Sequence, residues 1–190
     1  MTAETPLNNP PDSEPIVLQA VDITYTRRNT SILKGIDMDV RAGEILGVIG
    51  PGSAGKTVFL NILSGKLKAT AGSIQLSGAD ISTLSRRKRT RAGISSCTYA
   101  APDSMVLQLA TAIDSKPLVV LIDEPYKHVH PEAPEINAIR TMIKTLTDMG
   151  AALVIASRNR VDTLNYVDRA YLVEAGSVLR EGTSDFLLEP

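Results

Sequence analysis

The stretch that most restricts the fold is EILGVIGPGSAGKTVFLNILSG, residues 44 to 65. A short run that is almost wholly apolar ends at Gly50, a glycine-rich loop follows, and a helical pattern opens at Lys56. A strand with no polar alternation is buried on both faces, so layers must lie above and below it. The loop fits G-x-x-x-x-G-K-[ST] from Gly50 to Thr57 at every required position. Glycines let the backbone curl until its N–H groups point at one anion, and the positive end of the next helix adds to the same field. Lys56 would then reach the β- and γ-phosphates of a nucleotide, and the Thr57 hydroxyl would ligate Mg²⁺.

The rest of the chain supplies those layers. IVLQAVDITY and SILKGIDMDV alternate as half-buried strands, the second with Ile36, Met38 and Val40 inward and Asp37 and Asp39 outward. GSIQLSG, LVVLID, AALVIAS, RAYLVEAG and SVLREG are further strands, with helical patterns at KTVFLNILSGKL, closing near Gly65, and at SMVLQLATAI. Strands and helices alternating at this spacing predict an α/β fold on a mostly parallel sheet flanked by helices, with an antiparallel β edge region near the N-terminus. Residues 1–15, with four prolines and almost no apolar periodicity, are expected to be a disordered leader to a single domain over 16–190.

Bulk composition excludes several classes. Lys and Arg total 20 against 21 Asp and Glu, so no global field points to nucleic acid or an anionic membrane. No apolar run reaches the roughly 18 residues that span a bilayer. One cysteine, Cys97, forms no internal disulfide; it is expected as a small core residue in a cytoplasmic protein. RRKRTR, residues 86 to 91, lacks interleaved aromatics and is expected to be a solvated face.

LVVLIDEP ends a strand in two carboxylates. Asp123 would hold Mg²⁺ directly or through water, and Glu124 would polarise an attacking water as general base.

GEILGVIGPGSAGKTVFLNILSG, GSIQLSG, LVVLIDEP and RAYLVEAGSVLREGT, in that order, resemble the nucleotide-binding domain of ATP-binding-cassette (ABC) proteins. The tail is most similar to single-domain ATPases of lipopolysaccharide export or amino-acid import. The resemblance implies a P-loop NTPase fold and an ATP site on Gly50, Gly52, Ser53, Ala54, Gly55, Lys56, Thr57 and Val58. It also implies Mg²⁺ at Thr57 and Asp123, Tyr25 stacked on adenine, and Arg158 at the γ-phosphate. Its implied partners are a membrane permease and a second ABC ATPase subunit, at the inner face of the cell membrane.

The chain also departs from that family. RAGISSCTYAAP has no glutamine where the family carries one, and YAAPD stands where its signature would be. Too little chain separates Thr57 from Asp123 for the family's helical subdomain. HVHP, with His128 and His130, replaces the loop that couples subunits; the histidine pair is expected as an exposed loop pair rather than a metal site. Arg158 stands where the family has a histidine. Three functions therefore compete: an energy-coupling ATPase working with a complete partner, a regulatory or structural module that binds ATP with little turnover, and another small P-loop phosphotransferase.

Overall fold

The computed structural model describes residues 14–98, 102–127, 129, 133–183 and 187. The expected leader up to residue 13, Tyr99 to Ala101 of YAAPD, and His128 and His130 lie outside the described residues.

Two sheets form around the apolar strands. β1 (Ile16–Arg27), β2 (Thr30–Arg41), β3 (Ile45–Ile49) and α1 (Lys56–Leu63) come first, then β4 (Ala71–Leu76), β5 (Ala79–Asp80), α2 (Arg86–Arg91) and β6 (Ile94–Thr98). α3 (Pro102–Ser115), β7 (Val119–Asp123), α4 (Pro134–Asp148), β8 (Ala152–Ser157), α5 (Arg160–Leu164), β9 (Arg169–Glu174) and β10 (Ser177–Thr183) complete the chain. One sheet has the order β2-β1-β4-β5, and all its pairs are antiparallel. The other has the order β10-β9-β3-β8-β7-β6 and is parallel except for β10. The predicted α/β fold with an antiparallel edge region is the observed one.

Strand β7 shows why its sequence is apolar throughout. Val119 and Leu121 face a core shared with the antiparallel sheet and with Phe59, Leu60, Ile62 and Leu63 of α1. Val120 and Ile122 face a second core with Met105 and Leu109 of α3 and Ile139 and Ile143 of α4. Burial on both faces leaves no position for a polar residue until the strand ends. On β2 the alternation is also as read: Ile36, Met38 and Val40 are buried.

The reading of RRKRTR needs one correction. Five of its six residues are exposed in α2, but Arg89 is buried. Its guanidinium donates to the carbonyls of Ile62, Leu63, Ser82 and Leu84 at 2.8–3.1 Å. The first two belong to the last turn of α1, whose carbonyls have no partner within the helix. Arg89 thus caps the helix that begins at Lys56.

Among the described residues, α3 is the only helix between β6 and β7, which agrees with the expected lack of a helical subdomain. Two of the shorter elements, β6 and α2, gave little signal in the sequence: the first is an edge strand with two serines, the second has no apolar residue.

Candidate functional site

Three adjacent parallel strands deliver the site. β3, β8 and β7 end side by side, with Ile49 opposite Ser157 and Asp123 opposite Ala156. The glycine-rich loop leaves β3, the two carboxylates leave β7, and Arg158 follows β8. Ligands of open α/β sheets bind at such carboxyl ends.

The loop requires its glycines sterically. A Cβ on Gly50 would stand 2.0 Å from the Val173 carbonyl oxygen of β9. Gly55 has φ +94° and precedes α1 in the left-handed region, where glycine carries no steric penalty. A Cβ there would meet Leu33 Cδ2 at 2.7 Å. Ala54 is fully buried, Val58 half-buried, and Ser53 and Thr57 exposed. Tyr25, on β1, pairs with Leu33 of β2, the residue that a Cβ on Gly55 would meet, so one strand separates it from the loop.

Lys56 closes the loop from inside. Its side chain is buried, and Nζ donates to the carbonyls of Gly50 at 2.7 Å and Pro51 at 2.9 Å. Burial lowers its pKa; Glu124 opposes that shift, Arg158 adds to it, and Asp123 opposes it again.

The two carboxylates differ in surroundings. Asp123 is 8% exposed, and its buried Oδ1 has no hydrogen-bond partner in the protein. It borders a cavity of about 10 Å³ that also touches Asn61, Ser64, Lys66 and Thr98. An unpaired buried carboxylate oxygen is expensive unless a cation or water completes it. A hard cation such as Mg²⁺, which takes one or two carboxylates plus phosphate and water oxygens, fits that donor. Among the described residues there is no cluster of three or more acidic, His or Cys side chains to make an all-protein metal cage.

Glu124 sits just past the strand with φ +52°, an uncommon conformation for a residue with a side chain. Its N–H still donates to the Ala156 carbonyl at 2.8 Å, continuing the pairing with β8. Its Oε1 lies 3.2 Å from Arg158 Nε and 3.9 Å from Lys56 Nζ. Two residues on, the Tyr126 ring packs edge-on against Tyr166 at 5.6 Å, pinning the chain after the carboxylates.

The structure therefore brings together Gly50, Gly52, Lys56, Glu124 and Arg158, with Asp123 at the neighbouring strand end. Sequence reasoning missed the Arg158–Glu124 pair, since the two lie far apart in the chain. It also missed Lys66, whose ammonium donates to Thr98 Oγ1 at 3.1 Å beside the Asp123 cavity. Cys97 is buried as expected, and burial pushes its thiol pKa up to about 12.

Solved structures share this fold. The ADP conformation of MJ1267, an ATP-binding cassette of an ABC transporter, superposes with TM-score 0.80 at 18% identity, covering 88% of this chain and 91% of that one. A nucleotide-free ATP-binding cassette from an ABC transporter gives 0.79 at 18% identity, with 88% and 91% covered. The family model described as "ABC transporter" matches residues 33–103. A probable ABC transporter ATP-binding protein of Azorhizobium caulinodans is 24% identical over 90% of this chain and 79% of its own length. The lipopolysaccharide export system ATP-binding protein LptB of Escherichia coli K12 is 24% identical over 90% and 92%. A probable branched-chain amino acid transport ATP-binding protein, LivF, of Archaeoglobus fulgidus is 23% identical over 91% and 94%. Over residues 33–103 the chain thus matches the ABC transporter family, and along most of its length it is similar to the ATP-binding proteins LptB and LivF. Its alignment with the Azorhizobium protein runs to 223 positions, more than the 190 residues present here, so that relative carries residues that this chain lacks.

Proposed function

We propose that this chain binds MgATP in the Gly50–Val58 loop and serves as the ATP-binding subunit of an ABC-type system. The observation that carries the reading is the buried Lys56 ammonium folded across a glycine-rich loop, beside a buried Asp123 oxygen that lacks a protein partner. Lys56 would trade its two carbonyl partners for phosphate oxygens, a stronger charge-assisted contact. Asp123 and the Thr57 hydroxyl would hold Mg²⁺, with Tyr25 beside the base. Bound Mg²⁺ would draw charge off the phosphates. Glu124 is the candidate general base and Arg158 the candidate contact to the terminal phosphate.

The relatives' names, those of transporter and export-system ATP-binding proteins, support work within a transport system; in this proposal the chain acts with a membrane permease and a second ATPase subunit, at the inner face of the membrane. No helix among the described residues is long and apolar enough to cross a bilayer itself. The short β6–β7 connection and the Arg158–Glu124 pair favour slow hydrolysis by the chain alone. General-base catalysis is worth roughly 10²–10⁴-fold, and only on a water that other groups have positioned. The direct test is calorimetric titration with MgATP of the wild type and of Lys56→Ala, with phosphate release followed in parallel. Severe weakening in the variant, with turnover slow in the wild type, is expected. Unchanged affinity in Lys56→Ala would sink the assignment.

A further inference from the structure

Arg158 touches both halves of the site. Its Nε lies 3.2 Å from Glu124 Oε1, and its backbone N–H reaches Glu124 Oε2 at 3.4 Å. The same guanidinium lies over the glycine-rich loop: a methyl placed on Gly52 would stand 3.2 Å from Arg158 Cζ, 3.4 Å from one terminal nitrogen and 3.5 Å from Nε. One planar cation is thus within reach of the carboxylate and of the loop that would hold phosphate.

We infer that Arg158 is a positioning residue shared between Glu124 and the bound phosphates, so that phosphate binding draws the guanidinium away and frees the carboxylate. The inference rests on the nucleotide-site reading above. Three observations support the exchange. Arg158 is 59% exposed while Glu124 is 16% exposed, so the arginine is the partner free to move, and the pair is screened and weak. The guanidinium has five donors in a fixed fork that matches phosphate oxygens, so it exchanges one anion for another without stranding its charge. Glu124 is not stranded either, because Lys56 Nζ lies 3.9 Å from the same Oε1. The exchange differs from a fixed contact to the terminal phosphate: while Arg158 is paired, Glu124 is engaged by a cation instead of a water.

A double-mutant cycle on MgATP affinity tests this, using the full chain and calorimetry. Glu124→Gln removes a negative charge near the phosphates in any background, and also releases Arg158 where Arg158 is present. The gain in affinity from Glu124→Gln should therefore be larger in the wild type than in Arg158→Ala. The expected excess is about twofold to fivefold, the worth of a half-exposed ion pair. Arg158→Gln, which keeps a polar side chain of intermediate length, should repeat the result. An equal or smaller gain in the wild-type background overturns the shared role while leaving the nucleotide site intact. Absence of MgATP binding by the folded wild type overturns both.

Discussion

Replacing Arg89 with alanine should destabilise the protein more than any other change in the RRKRTR run. The residue is 2% exposed, and four carbonyls accept from it at 2.8–3.1 Å. Hydrogen bonds to a charged group contribute about 1.5–3 kcal/mol each, roughly 6–12 kcal/mol for four. Burying the guanidinium costs several kcal/mol in return, and its pKa is lowered by that burial. Alanine also removes the side-chain donor to the Leu63 carbonyl at the last turn of α1, eight residues long, while the Ile62 carbonyl keeps the Gly65 N–H. The net loss should be about 2–4 kcal/mol. In a chain of this size each kcal/mol moves Tm by about 2–4 °C, so the shift should be on the order of 10 °C. Thermal unfolding followed by circular dichroism measures it, with Arg87→Ala, an exposed neighbour, as the control. Arg89→Lys should recover less than half, since one ammonium cannot reach four carbonyls spread about a planar fork. A loss in Arg89→Ala no greater than in Arg87→Ala would refute the cap.

Two further outcomes follow from the same geometry. Gly50→Ala should cost about 1–3 kcal/mol or more in urea unfolding, because its Cβ would stand 2.0 Å from a backbone oxygen that no rotamer change can move; a midpoint equal to the wild type would show that β9 yields easily. Cys97 has its pKa raised from 9.0 to about 12 by burial. Its neutral form is favoured in the native state, so its contribution is full below pH 9 and is lost as pH rises towards 12. Stability should decline across that window, and less steeply in Cys97→Ala; identical slopes would remove the thiol from the account.

The fold was legible where a residue's environment follows from its local pattern. LVVLID declares itself because a strand packed on both faces allows no polar position, and SILKGIDMDV because one face is wet. The glycine-rich loop was legible because backbone curvature and helix polarity act within eight residues. Arg89 was not, because nothing local separates it from Arg87 or Lys88; only the last turn of α1, 26 residues earlier, selects one arginine of the run for burial. The positive φ of Glu124 was equally hidden, since a non-glycine residue enters that region only when surrounding contacts hold it there. That turn brings the carboxylate within 3.2 Å of Arg158. A side chain read in the sequence as a phosphate contact thus lies against the candidate general base. Family resemblance points to residues that would share a site; only the distances within this chain set the Arg158 guanidinium between the Glu124 carboxylate and the glycine-rich loop.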